Sequence, residues 1–254
     1  MSHSKSNTTF IIFKAYSEEN DLIDPYINIL KNEGYEANLV PTLEFEYHNL
    51  DVLNQKLQKP QDYSGMVITS PRCVRGIVKC LADSKLDENW HKKPMFVVGE
   101  TTSRLVNKEL GFEPIGADSG NAMALIPIIL KYELSKPLLA PCGNLNLNIL
   151  SDNIKTVKFE NIEVYRTIPH NNLKKNLNML LSQIKNQIGV IFFSPSGFRA
   201  ILELMPKQLF SQLHIFAIGP TTGAAIKEAG FILTGACEKP KPESMLEMIQ
   251  SFIK

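Results

Sequence analysis

The sequence predicts an α/β protein of two similar Rossmann-like or flavodoxin-like domains, and three observations carry the prediction. Short apolar runs alternate with helix-period patterns from end to end, as expected for parallel strands joined by right-handed helical crossovers. One strand-to-helix corner occurs twice, as ITSPRCV at 68–74 and FFSPSGF at 192–198. Each copy is followed by a second corner, VVGETT at 97–102 and AIGPTT at 217–222. From Ser70 to Gly99 is 29 residues, and from Ser194 to Gly219 is 25. Two successive strand–helix units thus recur in the same order, too long a period for a solenoid and right for a duplicated half-molecule.

The elements follow in order. TFIIF (9–13) is a buried strand. A helix opened by Pro25 puts Tyr26, Ile29 and Leu30 on one face and ends at Gly34. YEANLVP (35–41) and GMVIT (65–69) are strands. The helix after Ser70 places Val74, Ile77, Val78 and Leu81 at i, i+3, i+4 and i+7. MFVVG (95–99) leads into a helix that stops at Gly111, and another helix spans about 121–132. PLLAPCG (137–143) and IEVYRTIP (162–169) are the next strands. Leu173, Leu177, Leu180, Leu181 and Ile184 form one helical stripe. GVIFF (189–193), IFAIG (215–219) and a last helix, ESMLEMIQSFI (243–253), complete the series.

Composition narrows the function. The 254 residues suffice for one large domain or two small ones with full cores, and 44% hydrophobic with 21% charged residues is ordinary for a soluble globular chain. With 27 basic and 26 acidic residues the net charge is +1, and no block of like charge stands out. That argues against nucleic acid or an anionic membrane as partner, so an anionic ligand must be attracted by local devices. The four cysteines form no CxxC pair and no zinc spacing; Cys73 and Cys80, seven apart on one helix, read as buried thiols. MSHSKSN at the start has no signal-peptide apolar region, and no run approaches the ~20 apolar residues of a membrane span. The expected location is the cytosol.

The corners supply the local device. A helix amino terminus exposes unpaired N–H groups and partial positive charge, and ligands of such sheets sit beyond the carboxyl ends of the strands. Ser70, Ser194, Thr102 and Thr222 stand where these helices begin, with hydroxyls able to donate to a carboxylate or phosphate. The same residues are ordinary start signals that cap a helix's own backbone. Four corners paired in two domains favour a shared cleft gripping one polyanion. Catalytic motifs are missing: GxGxxG, GxxxxGK[ST], HExxH and GxSxG do not occur, and His3, His48, His91, His170 and His214 have no motif neighbours. Either the protein binds without chemistry, or its reaction needs positioning more than a potent acid or base.

TSPR (69–72), PCGNL (141–145), VYRT (164–167), FFSPSG (192–197) and AIGPTT (217–222), in that order, resemble the uroporphyrinogen-III synthase family. DPYINIL and GYEANLVPTLEFEY, between 24 and 47, match its eukaryotic branch, and the resemblance extends over about 9–250. It implies a discontinuous domain of residues 1–41 and 170–254, a second domain of 48–163, and linker strands at 42–47 and 164–169. It also implies a hinge at the two connections and an active site in the inter-domain cleft. The family closes hydroxymethylbilane, a linear polycarboxylate tetrapyrrole, into uroporphyrinogen III with inversion of ring D and loss of water, without metal or organic cofactor.

Carried over by position, Tyr165 is the residue near the leaving hydroxyl, on a linker strand. Thr102 and Thr222, with Thr221, belong to the Thr-Thr corners, and Ser70 and Ser194 to the Ser-Pro corners, as carboxylate holders. Arg72 adds a bidentate clamp, Ser196 and Gly197 present backbone N–H groups, and Lys14 lies just past the first strand. Where the family pattern has a basic residue ahead of AIG, this chain has His214, whose charge depends on pH. The resemblance implies a monomer acting on a small-molecule substrate, with room for transient contact with the preceding enzyme. The competing readings are a non-catalytic hinged binder of a small polyanion and a sugar-phosphate or nucleotide-sugar enzyme; no DxD pair at a strand end supports the latter.

Overall fold

The computed structural model describes residues 8–15, 24–82, 84–146, 148–183 and 187–253. MSHSKSN and Ile184 of the helical stripe lie outside them. In chain order the elements are β1 (Thr8–Lys14), α1 (Pro25–Asn32), β2 (Glu36–Pro41), β3 (Leu43–Tyr47), α2 (Leu50–Leu57), β4 (Gly65–Ile68) and α3 (Pro71–Leu81). Next come β5 (Met95–Val97), α4 (Glu100–Leu110), α5 (Ala122–Ile129), β6 (Leu138–Gly143), α6 (Ile149–Asn153) and β7 (Phe159–Pro169). The remainder are α7 (Leu173–Gln183), β8 (Gln187–Phe192), α8 (Pro195–Leu202), α9 (Lys207–Phe210), β9 (His214–Ile218), α10 (Pro220–Glu228), β10 (Gly235–Cys237) and α11 (Pro242–Ile253). Among the described residues no helix is long and apolar enough to cross a membrane.

The strands form two five-stranded sheets, ordered β10-β9-β8-β1-β2 and β3-β7-β6-β4-β5. Every pair whose register is described is parallel, as helical crossovers require. The chain divides into two compact units, one of residues 1–44 and 168–254, the other of 45–167. It passes from one to the other twice, between Glu44 and Phe45 within β3 and between Thr167 and Ile168 within β7. The first unit is discontinuous because β1 pairs with β2 on one side and with β8 on the other.

Each sheet is buried on both faces, which is why its strands read as continuous apolar runs. In β1, Ile11 and Phe13 pack into one cluster and Phe10 and Ile12 into another, the alternation that strand geometry dictates. β4 repeats the arrangement, with Met66 and Ile68 on one side and Val67 on the other. Burying each such side chain stabilises by about 1.5–3 kcal/mol. The duplication is visible in the sheets: β4 and β5, the strands that carry one pair of corners, are neighbours, as are β8 and β9, which carry the other.

Candidate active site

The two Ser-Pro corners share a backbone. Ser70 caps α3 with φ −151° and ψ 153°, and Ser194 caps α8 with φ −156° and ψ 153°, each followed by a proline in the first helical position. Their side chains keep different company. Ser194 Oγ accepts the Gly197 N–H at 3.0 Å and lies 3.3 Å from Ser196 Oγ. Ser70 Oγ takes the Cys73 N–H at a long 3.4 Å and lies 3.3 Å from Cys73 Sγ and 3.2 Å from the Tyr165 hydroxyl. One serine closes its helix; the other reaches a strand 95 residues away.

Tyr165 therefore belongs to the second unit, where it is 9% exposed and packs in the core cluster with Ile68, Cys73 and Val164. Its ring meets Phe45 edge-on at 6.1 Å and Tyr47 at 6.4 Å. β6 makes room for it. A register shift at Cys142/Gly143 sets Gly143 opposite Tyr165, and a Cβ on Gly143 would collide with the ring, 2.6 Å from its hydroxyl. Burial raises the phenol's pKa, with Cys73 adding to the rise; the Ser70 hydrogen bond and the Arg72 charge oppose it. Burial likewise pushes the Cys73 thiol to about 11 and the Cys142 thiol to about 12. At neutral pH the cluster is a set of uncharged donors, suited to hydrogen bonding rather than nucleophilic attack.

Arg72, second residue of α3, lies with Cζ 3.5 Å from the Phe45 ring centroid. Of all the expected carboxylate holders it brings the largest charge to the Tyr165 corner.

The Thr-Thr corners are built differently. Gly99 and Gly219 occupy the capping positions of α4 and α10 with φ of 79° and 87°, a region glycine enters without cost. Neither helix has a side-chain cap, so the first-turn N–H groups remain for an incoming anion. Thr102 and Thr222 are the third helical residues, each 2% exposed, and Thr221 is exposed beside the latter. The first turn of α4 carries Glu100, whereas that of α10 has no acidic residue. A carboxylate meets like charge at the first and none at the second.

The remaining expected residues cluster at the carboxyl ends of β1, β2 and β8. Lys14 ends β1, but its Nζ is 2.8 Å from Asp24 and lies over the Tyr26 ring at 5.0 Å. Ser196 is half-buried, and the Gly197 N–H already belongs to Ser194. Beside Gly197 stands Thr42, fully buried, its Oγ1 without a hydrogen-bond partner; a Cβ on Gly197 would come within 2.9 Å of that oxygen. Sequence reasoning missed Thr42, Phe45 and Gly143, since no local pattern distinguishes a lone Thr, Phe or Gly whose partner is distant in the chain. His214 begins β9, at the strand end opposite the Gly219 corner. Its ring meets Phe252 at 4.6 Å with the planes tilted by 56°, and it lines a cavity of about 760 Å³ with Phe210 and Phe231. The basic position before AIG therefore stands roughly 16 Å from the corner along an extended strand.

Fold and site define a class: an α/β protein whose two parallel sheets each end in a pair of helix starts, one of them flanked by a buried neutral phenol. The family model described as "Uroporphyrinogen-III synthase HemD" matches residues 24–247. The chain is 25% identical to the uroporphyrinogen-III synthase of Schizosaccharomyces pombe over 96% of its length and 97% of that protein. It is 27% identical to a putative uroporphyrinogen-III synthase of Methanocaldococcus jannaschii, over 82% and 85% of the two chains. Among solved structures, uroporphyrinogen III synthases from Thermus thermophilus and Helicobacter pylori each superimpose with a TM-score of 0.64 over 96% of this chain, at 16% and 18% identity. They cover 98% and 99% of those chains and agree on the fold. The chain belongs to the uroporphyrinogen-III synthase family, the cyclising lyases of haem biosynthesis.

Proposed function

We propose that the chain closes hydroxymethylbilane to uroporphyrinogen III with Tyr165 as the donor to the departing hydroxyl. The observation that carries this assignment is the neutral Tyr165 phenol, held by Ser70 at a helix start that also bears Arg72. The pyrrole nitrogen's electron pair expels the hydroxyl, and the C–O bond breaks. The Tyr165 phenol gives its proton to the departing oxygen, which leaves as water. Attack by the substituted carbon of ring D forms a spiro intermediate, which reopens and recloses with that ring inverted. The proton released on final aromatisation returns to the site, so the net change is loss of one water.

Substrate carboxylates are held by the uncapped first turns of α4 and α10, by the hydroxyls of Ser70, Thr102, Thr221 and Thr222, and by Arg72. At the other Ser-Pro corner Ser194, Ser196 and Thr42 supply hydroxyls, and Lys14 supplies charge shared with Asp24. Four free thiols support action in the cytosol, and the proposal takes the chain to work as a monomer that receives its substrate from the enzyme that makes it.

The test supplies fresh hydroxymethylbilane and separates the product isomers by chromatography. Unaided closure gives isomer I, so an excess of isomer III is the expected result. Isomer I alone, at the rate seen without protein, would overturn the proposal.

A further inference from the structure

We propose that Phe45 is a positioning residue for this reaction, its ring holding the Arg72 guanidinium beside the Tyr165 phenol; the proposal rests on the assignment of those two residues above. Arg72 has no helical reason to be where it is. It stands in the first turn of α3, where the helix dipole disfavours a cation, and no acidic residue accompanies it in that turn. A residue that works against its own element is expected where function demands it.

An aromatic face lies against the guanidinium. Arg72 Cζ lies 3.5 Å from the Phe45 ring centroid, van der Waals contact between a planar cation and the negative face of a ring. Phe45 also meets Tyr165 edge-on, at 6.1 Å and 76°. One ring therefore touches both the carboxylate clamp and the phenol, and it sets the distance between them. β3 provides this placement through its alternation: in LEFEY, Phe45 and Tyr47 share one face, while Glu44 and Glu46 take the other. Phe45 is half-buried against the core cluster rather than within it. The duplicate corner has Ser196 where this one has Arg72, and Thr42 stands beside Gly197 in its first turn. At the Ser194 corner the cation is Lys14, which lies over the Tyr26 and Phe193 rings but is already paired with Asp24 at 2.8 Å.

Steady-state kinetics with hydroxymethylbilane, measured on the full chain, test the idea. Phe45→Leu and Phe45→Met keep apolar volume and lose the ring; either raises KM about 5- to 30-fold, the loss of one partly desolvated cation–π contact, with a smaller change in kcat. Phe45→Trp restores KM to within about twofold of the original. In an Arg72→Gln background, Phe45→Leu has no further effect on KM. A Phe45→Leu or Phe45→Met protein with unchanged KM, or with the same rise whether or not Arg72 is present, overturns the proposal. Those results leave the function standing, whereas failure of the unaltered chain to make isomer III defeats the function itself.

Discussion

The corners at Ser70 and Ser194 are copies that have parted ways. Their capping residues agree within 5° in φ and match in ψ, and both helices start with proline. Yet Ser194 binds its own helix at 3.0 Å, whereas Ser70 holds its helix at 3.4 Å and a distant phenol at 3.2 Å. The lesson is that a duplicated backbone fixes where a hydroxyl stands but not what it serves. That is decided by the strand that arrives beside it, here β7 with Tyr165.

The largest effect is expected at the phenol. Tyr165→Phe retains the ring and loses only the donor, so turnover falls about 100-fold or more. The folded state loses one hydrogen bond of about 1 kcal/mol, a shift of roughly 2–4 °C in Tm. Equal proportional losses in rate and Tm would reduce Tyr165 to packing. Gly143→Ala comes next: the added methyl displaces the ring, with about tenfold lower kcat and about 1–3 kcal/mol lower stability by denaturant titration. At the Ser194 corner the corresponding close approach is Gly197 against Thr42, where an added methyl would meet a hydroxyl rather than the phenol.

A smaller effect follows from pH. Cys73 titrates near 9.0 when unfolded and at about 11 when folded, because burial favours the neutral thiol. The folded state thus binds the proton more tightly; its contribution to stability is whole below pH 9 and is lost as pH rises through about 11. Tm measured across that window falls, and Cys73→Ala flattens the fall. A slope unaffected by the substitution would contradict the burial argument. The smallest expected change is at the Thr-Thr corners, where Glu100→Gln removes like charge from the first turn of α4 and lowers KM about twofold. A raised KM would show that α4 binds no carboxylate.

The corners were legible in the sequence because a capping serine, a following proline and a glycine at positive φ are local rules. The two parallel sheets were legible for the same reason, through continuous apolar strands. What escaped was short or long-range. α2 is eight residues with only Leu53 and Leu57 buried, and β10 is the three residues Gly235–Cys237. The Ser70–Tyr165 pair spans 95 residues, and the need for Gly143 arises only once that ring lies against β6. His214 shows the converse. The resemblance places a basic position just ahead of the AIG corner, but five extended residues put His214 at the opposite strand end.

Ser70→Ala and Ser194→Ala, compared side by side for kcat and Tm, test the division of labour most directly. The first is expected to reduce kcat about tenfold and to cost about 1 kcal/mol of stability, because the buried Tyr165 hydroxyl loses its partner. The second is expected to cost about 1 kcal/mol of stability, read as a lower Tm, with kcat within about twofold of the original. Equal effects of the two substitutions on kcat would contradict the account.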